Sequence, residues 1–197
     1  MRVAAIVEGD GEVQALPVLL RRFCAWLTPD AHVEVLAPIR VRKERFLNCD
    51  DEFHRYLELA AWKCQADGWV LVLLDADDDC PAQCAAAIDA RIRRMNLACR
   101  HSVILANREY EAWFIAAASS LHGHRGFRMH SADACDAETP RNCKGWLAQR
   151  MSPGKSYSEI TDQPALTAIM DLELAASGSR SFRKLCKEWS KQVLPDP

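Results

Sequence analysis

Two hydrophobic periods alternate along the chain. Arg2–Val7 (RVAAIV) is a continuous apolar run that stops at Glu8-Gly9-Asp10-Gly11, which predicts a strand buried on both faces and closed by a tight turn. Val13, Leu16, Leu19, Leu20, Phe23, Trp26 and Leu27 then recur at helical spacing, with Pro17 placed near the first turn, where a lost N–H matters least. His32–Val41 (HVEVLAPIRV) predicts a second strand, and Pro38 inside it points to a sheet edge. Asp50 or Asp51 suits the cap of a helix carrying Phe53, Tyr56, Leu57, Leu59, Ala60 and Trp62. Trp69–Leu74 (WVLVLL) is the strongest strand signal and runs directly into Asp75-Ala76-Asp77-Asp78-Asp79. Pro81 opens an Ala-rich helix through Ile88, Ile92 and Met95. His101–Ala106 (HSVILA) predicts a fourth strand, followed by Asn107-Arg108-Glu109-Tyr110-Glu111 and a helix over Ala112–Ala118.

Strands alternating with helices, the strands continuously apolar, predict an α/β fold. The expected sheet is mostly parallel and four-stranded, with helices on both faces. Residues 1–118 form this core. Residues 119–197 read as a loop and a helical extension packed on the same domain, because Leu121–Asn142 has no period and is rich in Gly, His, Arg, Ser and Asp. Gly145–Arg150, Ala165–Glu173 and Phe182–Val193 are the helical candidates there. Ser179 or Ser181 is placed to cap the last of them, and residues 195–197 read as a frayed terminus.

Length and charge narrow the function. A chain of 197 residues holds one such domain, and a net charge of −2 excludes an all-over cationic coat but not a local basic face. The nine cysteines are odd in number and contain no C-x-x-C pair, so they read as reduced thiols of a cytoplasmic protein. No apolar run reaches the ~18 residues of a membrane span.

The candidate chemistry lies at the carboxyl ends of the strands, where open α/β sheets build their sites. Strand one delivers Glu8, strand three Asp75, Asp77 and Asp79, and strand four Glu109 and Glu111. If the backbone stays extended past Asp75, the three aspartates share one side. Clustered anions repel unless a cation neutralises them, and an oxygen-only donor set suits Mg²⁺, Mn²⁺ or Ca²⁺. Asp78 and Asp79 equally suit capping of the next helix, and Glu109 or Glu111 a pairing with Arg108.

Val7-Glu8-Gly9 after strand one, with Asp75-x-Asp77-x-Asp79 after strand three, resembles the TOPRIM domain of topoisomerases, bacterial primases and overcoming-lysogenization-defect nucleases. With V-E-G-D-G-E at 7–12, L-D-A-D-D-D at 74–79, R-E-Y-E-A-W-F at 108–114, K-G-W-L at 144–147, Tyr157 and S-R-S-F at 179–182, the chain is similar to a family of short bacterial TOPRIM-like proteins over roughly residues 1–190. The resemblance implies a Rossmann-like TOPRIM fold and Mg²⁺-dependent (or Mn²⁺-dependent) phosphoryl transfer on DNA or RNA. It implies Glu8 as general acid/base or metal ligand, Asp75 and Asp77 as metal ligands, and Asp79 and Glu111 as secondary ligands. Lys144 becomes the candidate lysine beside the phosphate, the alternative being a solvated helix start. The same resemblance implies action beside a separately encoded ATPase in defence against phage. A non-catalytic adaptor that binds nucleic acid or that ATPase is the alternative.

Other signals change less. His122, His124, His130, Cys135 and Cys143 lack zinc-ligand spacing. Basic residues cluster at Arg40–Arg45, at Arg91–Arg94 and along Arg183, Lys184, Lys187 and Lys191, as phosphate contacts or as solvated faces. Trp62, Trp69, Trp113, Trp146 and Trp189 read as core. Ser152-Pro153-Gly154-Lys155-Ser156 lacks the first glycine of a phosphate-binding loop. A flavodoxin-like phospho-acceptor would need a lysine after the last strand, where Asn107-Arg108-Glu109 stands.

Overall fold

Alternate side chains of the apolar strands feed two separate cores, which is why the runs are hydrophobic without interruption. A computed structural model describes residues 1–194; the terminus expected to fray, 195–197, lies outside them. The order is β1 (Arg2–Val7), α1 (Asp10–Leu27), β2 (Glu34–Val35), β3 (Ile39–Arg40), α2 (Lys43–Asn48), α3 (Asp50–Cys64), β4 (Trp69–Asp75), α4 (Pro81–Arg93) and β5 (Arg100–Ala106). Then come α5 (Ala112–Ala116), α6 (Ala118–Leu121), a 3-10 turn at Ser131–Asp133, α7 (Cys143–Ala148), α8 (Glu159–Ile169), α9 (Leu172–Gly178) and α10 (Arg180–Val193).

The sheet is parallel throughout, in the order β2-β1-β4-β5, with β3 also on β1. It has five strands where four were expected. The second expected strand is split: Arg2 pairs Glu34 at one end of β1 and Ile6 pairs Ile39 at the other. Pro38 lies in the gap, has no N–H to give and restricts Ala37 before it. The edge position that Pro38 predicted is correct.

Val3, Ala5, Val7, Leu71, Leu73 and Ile104 face a core shared with Leu16, Leu20 and Phe23 of α1 and with Phe182, Leu185 and Trp189 of α10. Ala4, Ile6, Val72, Leu74, Val103 and Leu105 face the opposite core, with Phe46, Phe53 and Leu57 from α2 and α3 and with Ile88 and Ile92 of α4. Thus α10 supplies part of one layer over the sheet itself. Phe23 meets Phe182 edge-on at 5.5 Å between ring centres.

Local structure departs from the sequence pattern in several places, and the helix expected over Ala112–Ala118 is two, α5 and α6, broken at Ala117. Helix α1 begins at Asp10, so Pro17 lies in its interior, not its first turn. Asp50 and Asp51 are helical residues after the cap position Cys49, and no side chain caps α3. The helix expected over Ala165–Glu173 is two helices that break at Met170-Asp171, where the Asp171 carboxylate accepts from the backbone N–H groups of Glu173 and Leu174. Trp62 is 78 % exposed rather than core. Ser179 does cap α10, accepting from Phe182 N. Among the described residues no helix is long and apolar enough to cross a membrane, and the nine cysteines are free thiols.

Candidate functional site

The site lies past the carboxyl ends of β1 and β4, where the chain leaves the sheet into α1 and into the acidic turn. Glu8 is the first residue after β1, and α1 starts two residues later, which sets Glu12 in its first turn near the positive end of the helix. Glu12 is 4 % exposed and its Oε2 has no hydrogen-bond partner among the described residues. The carboxylate folds back so closely that a Cβ on Gly9 would lie 2.2 Å from Oε2, so Gly9 is what allows it in. Asp75 ends β4, and its Oδ1 accepts from the backbone N–H of Tyr110 at 2.9 Å.

Glu111, just before α5, is fully buried. Its Oε1 accepts from the Tyr157 hydroxyl at 2.7 Å and from Gln163 Nε2 at 3.2 Å, while its Oε2 has no partner among the described residues. Gln163 comes from α8, which packs along α1. A Cβ on Gly11 would lie 2.1 Å from Gln163 Oε1, so the second glycine of the turn is needed for that approach.

The carboxyls of Glu8, Asp75 and Glu111 are all raised, with the charge of Glu12 contributing to each. Burial raises the Asp75 carboxyl well above its ordinary range, and Glu12, Glu111 and Glu8 raise it further against Lys144. Burial likewise lifts Glu111 to about 7, with Lys144 and the Tyr157 hydrogen bond pulling the other way. Glu8 is raised by burial, lowered by Lys43 and raised by Asp77 and Glu12. Burial would lower the Lys144 ammonium, but Glu111, Asp75, Glu159 and Glu109 more than offset that and hold it above its usual value. Lys144 Nζ stands 3.4 Å from Glu159 and 4.0 Å from Glu109, and its backbone N–H donates to Glu109 Oε2. The lysine thus acts electrostatically on three of the four carboxylates.

Of the expected residues, Glu8, Asp75, Glu111 and Lys144 come together. Asp77 reaches the group through its charge, which raises Glu8, while its carboxylate is turned to Lys43, and Asp79 does not join them. The extended backbone that would align them stops at Asp75, and Asp77 takes a left-handed conformation (φ 51). Its N–H donates to Arg108 O, and the Arg108 guanidinium returns a bond to Asp77 O, so the turns after β4 and β5 are laced together. The Asp77 carboxylate pairs with Lys43, whose Nζ also donates to Asp75 O at 2.6 Å. Asp79 is exposed and caps nothing: the cap position of α4 is Cys80.

Glu12, Lys43 and Gln163 are the site residues that motif reading missed. Glu12 had a signal, since glycines at 9 and 11 mark a close backbone approach beside an acidic residue. Lys43 showed only as a member of the basic cluster Arg40–Arg45 and Gln163 had no signal, because their places depend on how α2 and α8 pack. Among the described residues no group of three or more His, Cys, Asp or Glu side chains is arranged to hold a metal ion as placed. The donor chemistry itself, oxygen-only with two orphaned buried carboxylate oxygens, is that of a hard divalent cation.

The family model described as Domain of unknown function (DUF4276) matches residues 7–188. No curated protein and no solved structure matches the chain.

Proposed function

The chain belongs to the DUF4276 family, and we propose that it is a Mg²⁺-dependent TOPRIM-like enzyme that acts on nucleic-acid phosphodiesters. One observation supports this reading: Glu8, Asp75 and Glu111, from three strand ends, share the field of Lys144, and Glu12 and Glu111 each keep a buried carboxylate oxygen unpaired among the described residues. Buried like charges of this kind call for protons or a cation.

Glu8, Glu12, Asp75 and Glu111 are the residues that would hold the ion, after side-chain rotation brings their oxygens together. The ion would supply charge neutralisation for phosphate oxygens and acidify a bound water. The remaining work falls to the chain. Glu8, half-exposed at the mouth and raised in pKa, is placed to move a proton. Lys144, whose charge is firmly held, is placed to meet a phosphate. Tyr157 and Gln163 fix the Glu111 carboxylate. The basic residues Arg40, which ends β3, and Arg42 and Lys43, which follow it, lie beside this mouth in reach of a polyanion's backbone, whereas Arg93, Lys184 and Lys191 line a different groove.

Calorimetric titration with Mn²⁺, paired with cleavage assays on labelled DNA and RNA, tests the reading. The expected result is saturable Mn²⁺ binding lost in Asp75→Asn and Glu12→Gln, and cleavage lost in the same variants. Mn²⁺ binding indifferent to both substitutions would sink the site. Intact ion binding with no turnover on either nucleic acid, with or without an ATPase partner, would replace the enzyme by the adaptor reading.

A further inference from the structure

A second concavity lies away from the acidic site. The groove, of about 720 Å³, has β5 as its floor, α4 as one wall and α10 as the other. Strand β5 is the end of the sheet and, among the described residues, pairs with β4 alone. Its backbone groups alternate sides. Arg100 N donates to Gly68 O and Ala106 O accepts from Ala76 N, so the even positions turn toward β4. The odd positions His101, Val103 and Leu105 therefore aim their N–H and C=O groups into the groove. Asn107 N, next in that series, does find a partner on that side, the Ser181 hydroxyl of α10 at 3.2 Å. Among the described residues, the N–H groups of His101, Val103 and Leu105 have none.

The walls define what fits. On the α4 side Ala82, Ala85 and Ala86 present small side chains, which leaves room for the side chains of a guest. On the α10 side Lys184, Glu188 and Lys191 reach over the groove. The acids are already engaged: Glu188 with Lys184 and Ser102, Asp89 with Arg93 and His101, and Glu138 with Arg180. Lys191 has no ion pair within 4 Å among the described residues, so the rim carries a spare positive charge. A second copy of the chain is a poor guest. Its own β5 is recessed between the same two helices, so two such edges cannot meet.

We propose that this groove binds an extended acidic segment of a partner protein, which adds a strand to β5. Backbone hydrogen bonds to the odd positions supply the register. Small or apolar side chains face the alanines of α4, and acidic ones face Lys191. This site is independent of the acidic pocket.

A fluorescein-labelled nine-residue peptide of alternating Glu and Val, followed by anisotropy, is the probe. We expect saturable binding. It should weaken at least tenfold when every second peptide amide is N-methylated, and at least tenfold in Ala86→Arg, where the new side chain fills the groove from an exposed helix position. Lys191→Glu should weaken the Glu/Val peptide and confer binding of a Lys/Val peptide, a swap that a merely destabilised fold cannot produce. Amide exchange in the unmodified chain should slow at Val103 and Leu105 when the peptide is added. Absence of binding, binding indifferent to N-methylation or Ala86→Arg, or equal binding of the Lys/Val peptide would overturn the proposal. So would a dimer in sedimentation that Ala86→Arg dissolves, which would make a second copy the occupant.

Discussion

The acidic pocket and the β5 groove are both hollows with polar groups left unmatched, but they are unmatched in opposite ways. In the pocket the surplus is side-chain charge: Glu12 Oε2 and Glu111 Oε2 are buried without partners. In the groove the side-chain charges are largely paired off, and the surplus is main-chain N–H and C=O along an open strand edge. A compact ion answers the first deficit and an extended backbone the second. The comparison teaches that what kind of group is orphaned says more about the guest than the size of the hollow does.

The largest effect that would sharpen this contrast is on ion binding. Glu111→Gln keeps the shape and removes one charge, and Mn²⁺ affinity measured by calorimetry should fall at least a hundredfold, with cleavage falling alongside. Unchanged affinity would break the comparison, since the pocket would then not be an ion site. The same variant should move stability the other way. The Glu111 carboxyl titrates at about 7 in the folded chain against an ordinary value of 4.5. Below 4.5 both states carry the proton, and between 4.5 and 7 the folded state alone keeps it, so stability falls as pH rises through that window and levels off above it. At pH 8 the penalty is about 3 kcal/mol, so metal-free Glu111→Gln should melt on the order of 6–12 °C higher by calorimetry. A lower melting temperature would mean that the charge is stabilised by something other than an ion.

Removing divalent ions tests the same idea from outside. With EDTA the unmodified chain should lose stability at pH 8, and Mn²⁺ should restore it; the shift should shrink at pH 5.5, where protons compete for the same oxygens. The groove variant Ala86→Arg should leave this Mn²⁺ response untouched while weakening peptide binding at least tenfold. The smallest effect belongs to Asp79→Asn. Because Asp79 is exposed and its carboxylate engages neither Asp75 nor Glu8, Mn²⁺ affinity should change less than about twofold. A large loss there would restore the extended D-x-D-x-D arrangement.

Much of the sheet was legible because a parallel strand buried on both faces is apolar at every position, and Trp69–Leu74 has no competing period. The strand ends therefore located Glu8 and Asp75. Alternation beyond Asp75 failed at a single left-handed residue, Asp77, which local composition permits but does not require. Gln163 reaches Gly11 through the packing of α8 on α1, 152 positions apart in sequence, a distance over which no local pattern carries information. Trp62 failed for a different reason: it sits on a helix whose apolar stripe is wider than the surface that α3 buries, so helical spacing alone assigned it to the core. The short helix α2 spans only Lys43–Asn48, too few residues to show a period, yet it positions Lys43.

Trp189 of α10 donates from Nε1 to the Thr28 hydroxyl across 161 residues, and its ring packs against Trp69 and Phe23. In time, this contact is a delay. At 5–20 residues per second of synthesis, the helix that covers β1 and β4 on that face emerges roughly 8–32 s after Thr28 does. Until then Phe23 and Trp69 lack their cover, so the nascent chain is a client for whatever shields apolar surface at the ribosome. Its sheet closes late, as a consequence of connectivity rather than of weak packing.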